Sequence, residues 1–267
     1  MAPDRLFAFS IPLIPRHRAK NWQLVLDNLQ ATLQSMLNQF DRNFVILLAS
    51  TDELDLPELS HRQVVRVALR ENYASHLQGN SHRDQLSDAG IKRRYNLNAA
   101  RELGVTYFMH ADADDLISNR LVEHVRHERH PIGYAVSQGL ILDSRVGKFL
   151  MHPGPYSQGP SFSNTCGTSI IYNLDFKGSA DPDWPNATIT IGHHVTRQML
   201  IDAGTPLQDI PFPAVVYVLH SDDNMSALPD AVRDRENPII ARLAQIARHG
   251  RPMLRSELHE FGLLGPL

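Results

Sequence analysis

The chain has 267 residues, of which 42% are hydrophobic and 21% charged, and its formal net charge is −3. These values are typical of a globular protein with a substantial core, and they exclude the broad basic surface of a nonspecific nucleic-acid binder. The single cysteine excludes an intrachain disulfide, and no apolar run approaches the roughly 20 residues of a membrane span, so we expect a cytoplasmic protein with at most peripheral membrane contact.

Strands and helices alternate through the first half of the chain. A first strand is expected at 7–13, a continuous apolar run at 44–48 predicts a buried strand, and the spacing of apolar residues from 21 to 39 predicts an amphipathic helix between them. The elements expected next are a strand at 64–69, a loop at 72–87, a helix at 88–103, a strand at 105–109 and a helix at 118–129. This alternation is typical of α/β proteins, in which helices cover a mostly parallel sheet.

The second half of the chain has a less regular pattern. Strands at 134–142 and 148–151, on either side of the turn at 144–147, predict a hairpin. The other expected elements are a strand at 168–172, a helix at 193–203, a strand at 215–219, and a helix at 227–247 that Pro238 interrupts. No linker-like stretch divides the chain, so we expect one continuous domain.

Three carboxylates follow the strand expected at 105–109, and they are Asp112, Asp114 and Asp115. Ligands of open α/β sheets bind beyond the carboxyl ends of the strands. Carboxylates this close repel one another, and a divalent cation removes that cost. Mg²⁺ is commonly held by one or two carboxylates together with substrate phosphates, so the loop predicts a site for Mg²⁺ or Mn²⁺ and a diphosphate. The alternative is an acidic loop in which Asp114 or Asp115 caps the next helix.

The segments 92–101 and 107–115 resemble the core of family-two glycosyltransferases, which have a basic helix with Asn-x-Ala character and an apolar strand ending in Asp-x-Asp-Asp. The start Ser10-Ile11-Pro12 is also similar to that family, and Ser50-Thr51-Asp52 is similar to its Gly-Ser-x-Asp turn, with Ala49 in place of the glycine. The resemblance extends loosely over 165–226, and a branch described as rhamnosyltransferases is similar as well.

This resemblance implies a GT-A type fold, a Rossmann-like mixed sheet flanked by helices in a single domain. Residues 1–130 would form the half that binds the nucleotide sugar, and residues 131–267 the half that binds the acceptor. The activity implied is transfer of a sugar from a nucleoside-diphosphate donor to a hydroxyl of a carbohydrate, a lipid-linked or another acceptor, with Mn²⁺ or Mg²⁺ as cofactor. No nucleic-acid partner is expected.

The resemblance also implies roles for individual residues. The residues expected to contact the nucleotide sugar are Ser10, Pro12, Asp52, Arg93, Arg94, Asp112 and Ala113. The residues expected around the metal are Asp112, Asp114, Asp115 and His220. Consecutive helix positions cannot all face inward, so at least one of Lys92, Arg93 and Arg94 must lie on a solvated face.

The catalytic base departs from the family pattern. The family has a Glu-Asp pair where a helix opens in the second half, whereas this chain has Gly192 followed by His193 and His194. Either histidine could take the acceptor's proton at neutral pH, and Asp181 or Asp183 could reach in from the preceding loop. The alternative for both histidines is a place on the surface at a helix end. Trp184 could stack on an acceptor sugar or pack in the core.

Two other functions compete with sugar transfer. A nucleotidyltransferase would also use metal-bound carboxylates, but it usually carries an early glycine-rich loop, and residues 11–20 contain no glycine. A non-catalytic sugar-nucleotide-binding relative would explain the missing Glu-Asp pair.

Overall fold

Parallel strands covered by helices form the centre of the molecule. A computed structural model describes residues 6–71, 73, 82–178, 184–185, 192–219 and 238–264. The parallel strands are β1 (Leu6–Pro12), β2 (Phe44–Ala49), β3 (Val64–Val67) and β4 (Val105–His110). β1 lies between β2 and β4, and β3 pairs with the outer side of β2. Their carboxyl ends therefore share one edge of the sheet.

The strands β1, β2 and β4 are buried on both faces, which explains their mainly apolar sequences. The helix α1 (Trp22–Leu37) begins after Asn21, whose side chain accepts a hydrogen bond from the N–H of Leu24 at 3.2 Å. Phe7 and Phe9 of β1 belong to the same hydrophobic cluster as the buried face of α1, and Ala8 between them belongs to the cluster on the opposite face.

The helix α2 (His82–Glu102) packs on β1 and β2. It begins six residues before the predicted start at residue 88, within the segment expected to be a loop. The first turns are polar and carry no apolar periodicity, so no sequence pattern marked them as helical.

The predicted strand at 134–142 is two strands in different sheets. β6 (Gly133–Ala135) belongs to the main sheet, whereas β7 (Gly139–Asp143) belongs to a smaller one. Gly133 has a φ of +137°, and a Cβ there would lie 2.1 Å from the carbonyl oxygen of Ile171, so only glycine allows β6 to approach its neighbour so closely. The predicted hairpin is confirmed, because β7 pairs antiparallel with β8 (Lys148–His152).

The remaining elements complete two mixed sheets. They are β5 (Leu116–Ile117), α3 (Leu121–Glu128), β9 (Ile170–Asn173), α4 (His193–Asp202), β10 (Gln208–Asp209), β11 (Val215–Leu219), α5 (Pro238–His249) and α6 (Arg255–Glu260). In the described chain the main sheet has the order β10-β6-β9-β4-β1-β2-β3, and the smaller sheet has the order β5-β11-β7-β8. Because β9 runs antiparallel between β4 and β6, the main sheet is mixed.

The predicted fold class is confirmed as a single α/β domain with a Rossmann-like mixed sheet flanked by helices. The helix predicted at 227–247 is described from Pro238 to His249, and residues 227–237 lie outside the described range. None of the helices in the described ranges is long and apolar enough to cross a bilayer.

Candidate functional site

The acidic loop leaves the sheet at the carboxyl end of β4, as the sequence predicts. Asp112 and Asp114 are half-buried, whereas Asp115 has no exposed surface. The three carboxylates of this loop therefore lie in two different environments, one open to ligands and one closed.

Asp115 is bound on both oxygens by groups from the second half of the chain. Its Oδ2 accepts hydrogen bonds from the Thr168 hydroxyl at 2.5 Å and the Cys166 thiol at 3.3 Å, and its Oδ1 accepts one from the N–H of Val218 at 3.2 Å. Burial raises the pKa of the Asp115 carboxyl well above its usual range, and the charges of Asp114 and Asp112 add to this effect. The side chain thus ties the loop to β11 and to the segment before β9.

Asp112 faces the open side of the loop. Its N–H donates to Thr168 Oγ1 at 2.8 Å, and its carboxylate lies 3.5 Å from Nη2 of Arg93. A Cβ added to Gly167 would lie 2.7 Å from Asp112 Oδ2, so the space beside this oxygen depends on a glycine.

The three consecutive basic residues of α2, Lys92, Arg93 and Arg94, point in different directions from the helix. Lys92 is fully buried and donates to Asp88 at 2.9 Å and to the Leu13 carbonyl at 2.5 Å. Burial lowers the pKa of Lys92, although the charge of Asp88 opposes the shift. Arg93 reaches the acidic loop, whereas Arg94 is exposed and does not line the cleft described below. Lys92 therefore has a structural place, and Arg93 alone among the three contacts the loop.

A buried asparagine holds α2 against the carboxyl ends of the strands. Asn96 Nδ2 donates to Ser10 Oγ at 3.0 Å, to the Leu47 carbonyl at 3.1 Å and to the Ile11 carbonyl at 3.3 Å. Asn98, which carries the resemblance to the family's Asn-x-Ala pattern, is exposed. The anchoring residue thus lies two positions before the one that the resemblance indicates.

A small cleft, partly open to solvent, adjoins the acidic loop on its β9 side. Its lining residues are Arg93, His110, Gly167, Ile170, Tyr172 and His193. His110 is 7% exposed, and burial together with the charge of Arg93 lowers its pKa well below the usual range. The cleft is thus lined by polar groups that come from β4, α2, β9 and α4.

His193 is the first residue of α4 and lines this cleft, whereas its neighbour His194 is exposed. The rings of the two histidines pack edge to face, with centroids 5.6 Å apart. Burial lowers the pKa of His193 to about 4, and the nearby Asp112 charge partly opposes the shift. Of the two histidines proposed as base, the structure brings His193 to the acidic loop and leaves His194 on the surface.

The predicted nucleotide contacts near β1 and β2 line one edge of the sheet. Ser10 is buried beneath α2, and Pro12 ends β1 half-buried. Asp52 follows β2, and its carboxylate accepts from the N–H of Arg16 and the hydroxyl of Thr51, each at 3.0 Å. Ala113 is half-buried between the aspartates. Their contacts with a nucleotide remain predictions.

Several predicted residues are outside this description or have another place. Asp181, Asp183 and His220 lie outside the described residues. Within the described ranges, no group of three or more His, Cys, Asp and Glu side chains could hold a metal ion by itself. Trp184 packs in the core between Tyr172 and Phe176, and its Nε1 donates to the Asn173 carbonyl at 2.8 Å.

Sequence reasoning missed His110, Tyr172 and Thr168 as parts of the site. His110 had a usable signal, because it is the one polar side chain at the end of the otherwise apolar run 107–111. Tyr172 and Thr168 had none, since a tyrosine in a short strand and a threonine at its start are ordinary strand residues.

No protein-family model matches the chain, and a search of curated proteins returns no match. Among solved structures, the chain is similar to TarS 1–349 of S. aureus in complex with UDP-GlcNAc, with a TM-score of 0.45 and 10% identity over 84% of this chain and 61% of that one. A second TarS 1–349 structure gives a TM-score of 0.45 and 12% identity over 91% of this chain and 72% of that one.

A protein of Desulfovibrio desulfuricans G20 described as a nucleotide-diphospho-sugar transferase gives a TM-score of 0.35 and 13% identity, over 93% of this chain and 99% of that one. The chain spans about three fifths of the first TarS structure. At these identities and TM-scores the likenesses carry no argument about activity.

Proposed function

We propose that the chain is a glycosyltransferase of GT-A type that moves a sugar from a nucleoside-diphosphate donor to an acceptor hydroxyl. The observation that carries this proposal is the position of Asp112 and Asp114 at the carboxyl end of β4, next to a polar cleft, with the Asp112 carboxylate 3.5 Å from Arg93. A nucleotide sugar carries an anionic diphosphate linked to a sugar. It fits this edge of the sheet, which offers the positive charge of Arg93, two carboxylates for a metal ion, and a cleft beyond them for the sugar.

The residues present fit a divalent cation that arrives with its nucleotide. Asp115 has no exposed surface and accepts from three donors, whereas Asp112 and Asp114 are half-buried, so these two are the carboxylates that would hold Mn²⁺ or Mg²⁺. Two carboxylates are too few for a tight site without substrate oxygens, and Mg²⁺ in particular is usually completed by phosphates. When bound, the metal supplies charge neutralisation for the diphosphate leaving group. His220, proposed as a further ligand, lies outside the described residues.

Arg93 and His193 would carry out the protein's part of the reaction. The acceptor oxygen forms a bond to the anomeric carbon, the bond from that carbon to the diphosphate oxygen breaks, and its electron pair leaves with the diphosphate. Arg93 would stabilise the charge that develops there. His193 would take the acceptor's proton, since it lines the cleft beside Asp112. His194 and Asp183 are the alternatives for this base.

The same proposal assigns a role to each half of the chain and a location to the protein. Residues 1–130 would bind the nucleotide sugar, and residues 131–267 would bind a carbohydrate, lipid-linked or other hydroxyl acceptor. Asp52 would contact the base of the nucleotide. A cytoplasmic location belongs to this proposal, and rhamnose is one of the donor sugars to test.

A thermal-shift screen of UDP-, GDP-, dTDP- and CMP-sugars with and without Mn²⁺ tests the proposal, because a ligand that binds only the folded state raises Tm. We expect one nucleotide class to raise Tm only with Mn²⁺, and Asp114→Ala to abolish that metal-dependent shift. Asp27→Ala is the matched control, since Asp27 is exposed on α1. Metal-dependent affinity that survives Asp114→Ala would contradict the proposal.

Product analysis with the bound donor separates the two alternative functions. A glycosyltransferase releases the nucleoside diphosphate by slow donor hydrolysis, a nucleotidyltransferase forms pyrophosphate from a nucleoside triphosphate, and a non-catalytic relative does neither. We expect His193→Asn to keep nucleotide affinity and to lower turnover by roughly 100-fold or more, the usual scale for a general base. Full turnover in this variant would move the base to another residue.

A further inference from the structure

His110 lines the cleft, and one of its ring nitrogens has a hydrogen-bond partner while the other has none. It is 7% exposed, its Nδ1 lies 3.3 Å from Ser10 Oγ, and its Nε2 is buried with no hydrogen-bond partner. A buried polar atom without a partner costs about 1–3 kcal/mol, so an unpartnered nitrogen on a residue that lines a cleft indicates that a ligand completes it.

The surrounding hydrogen bonds determine which nitrogen of His110 carries the proton. Asn96 presents its Nδ2 to the carbonyls of Ile11 and Leu47, and this fixes the orientation of its amide. Nδ2 also lies 3.0 Å from Ser10 Oγ, so one of its two hydrogens is shared with that oxygen, and the Ser10 hydrogen is available for Nδ1 of His110. A neutral ring that accepts at Nδ1 carries its hydrogen on Nε2, which is then a donor without an acceptor.

A second unpartnered donor lies in the same cleft. Nε of Arg93 is buried without a hydrogen-bond partner, while its Nη2 faces Asp112 at 3.5 Å. Both residues line the cleft, and the Arg93 charge acts on His110. Two residues that line one small polar cleft therefore each carry a nitrogen donor without an acceptor, and the ligand group that complements them is an oxygen that accepts hydrogen bonds.

The position of the cleft indicates which part of a donor would supply that oxygen. Asp52 follows β2 and Asp112 follows β4, so both lie at the same edge of the sheet. The cleft lies beyond Asp112 toward β9, and His193 at the start of α4 lines it. A donor with its base near Asp52 and its diphosphate at Asp112 would extend its sugar into the cleft. This step rests on the proposed function, because it takes the diphosphate position from it.

We propose that His110 is a specificity-determining residue that, with Arg93, binds an acceptor oxygen on a substituent of the transferred sugar. The group is a carboxylate or an amide carbonyl, since each offers an oxygen with two lone pairs and no hydrogen of its own. The sugar class is therefore a hexuronate or an N-acylated amino sugar rather than an unsubstituted hexose.

Isothermal titration with UDP, UDP-glucose, UDP-glucuronate and UDP-N-acetylglucosamine, each with Mn²⁺, tests this assignment. If UDP does not bind, the same series is made with GDP or dTDP. We expect a substituted sugar to bind roughly tenfold more tightly than the plain hexose, as one to two added hydrogen bonds would give. Tighter binding of the uronate would identify the acceptor oxygen as that of a carboxylate, and tighter binding of the acetamido sugar would identify it as that of an amide carbonyl.

Variants of His110 show whether this residue acts as a hydrogen-bond donor through Nε2 or only packs against its neighbours. An asparagine amide can replace Nδ1 but does not reach Nε2, whereas a glutamine amide reaches it, so His110→Asn should lose the tenfold preference and His110→Gln should keep part of it. His110→Phe keeps the ring contacts with Phe108 and Tyr172 and serves if the asparagine variant does not fold. His124→Asn is the control, because His124 also has a buried unpartnered Nε2 but lies outside the cleft lining.

The outcomes distinguish the two proposals. If no nucleoside diphosphate binds, the proposed function fails. If the diphosphate binds but wild type shows no preference among the sugars, or if His110→Asn and His110→Phe retain the preference, the assignment of His110 fails while the proposed function stands. Loss of the preference with unchanged affinity for the bare diphosphate supports both.

Discussion

Asp115→Asn should destabilise the protein far more than the same change at Asp112 or Asp114. The Asp115 carboxylate accepts from the Thr168 hydroxyl, the Cys166 thiol and the Val218 N–H without any exposed surface. A neutral amide keeps one acceptor oxygen and turns an N–H₂ group toward the other donors. Whichever way the amide turns, at least one of these donors loses its acceptor.

The size of the effect follows from these contacts. An unsatisfied buried donor costs about 1–3 kcal/mol, and a hydrogen bond to a charged group contributes roughly 1.5–3 kcal/mol, so we expect a loss of about 2–4 kcal/mol in the free energy of unfolding. Asp112→Asn and Asp114→Asn involve half-buried side chains and should cost less than about 1 kcal/mol.

Urea denaturation of the three variants, followed by circular dichroism, measures these differences. The reasoning would be refuted if Asp115→Asn unfolded within about 0.5 kcal/mol of wild type, the usual scatter of surface substitutions. Should that stable variant also lose Mn²⁺-dependent nucleotide binding, Asp115 would be a metal ligand, as the resemblance implied, rather than a structural residue.

Three substitutions of glycine or asparagine test the rest of the site and the fold. Gly167→Ala places a methyl group 2.7 Å from Asp112 Oδ2 and should displace that carboxylate. Metal-dependent nucleotide binding should then weaken by about 1 kcal/mol, roughly fivefold, while Tm stays close to wild type, and unchanged affinity in calorimetry would contradict this. Asn96→Leu removes the donor to three acceptors and should lower the free energy of unfolding in urea by about 2–3 kcal/mol, and an unaltered midpoint would count against it. Gly133→Ala combines a φ of +137° with a contact of 2.1 Å to Ile171 and should cost more than about 3 kcal/mol, which a soluble variant with wild-type Tm would disprove.

The parts of the fold that could be predicted are those in which local pattern and tertiary structure agree. The runs that became β1, β2, β4 and β11 are buried on both faces, so most of their residues are apolar, with Ser10, Thr106 and His110 as exceptions, and the sequence indicates these strands directly. The split at 136–138 gave no such signal, because two strands that belong to different sheets can be equally apolar. The decisive feature there is the close approach at Gly133, which depends on a strand nearly 40 residues later.

The place of the acidic loop in the fold was predictable, but the surroundings of its side chains were not. The acidic loop at the end of β4 was correctly placed because strand ends and charged residues are local features of a sequence. Which carboxylate is buried was not readable, since Asp115 differs from Asp114 only through Thr168 and Val218, which are distant in sequence. The roles of Lys92 and Asn96 were hidden for a similar reason, because the inward direction of α2 is set by its packing against β1 and β2.

The burial of Asp115 also explains how the other two aspartates can remain at an open edge. Adjacent carboxylates repel one another, and a loop that carries them would relax away from the sheet unless something held it there. Thr168 links the two environments, because its hydroxyl oxygen accepts from the N–H of Asp112 while its hydrogen goes to Asp115. One carboxylate thus anchors the backbone from which the other two project, and Thr168→Val should loosen Asp112 even though it removes no carboxylate.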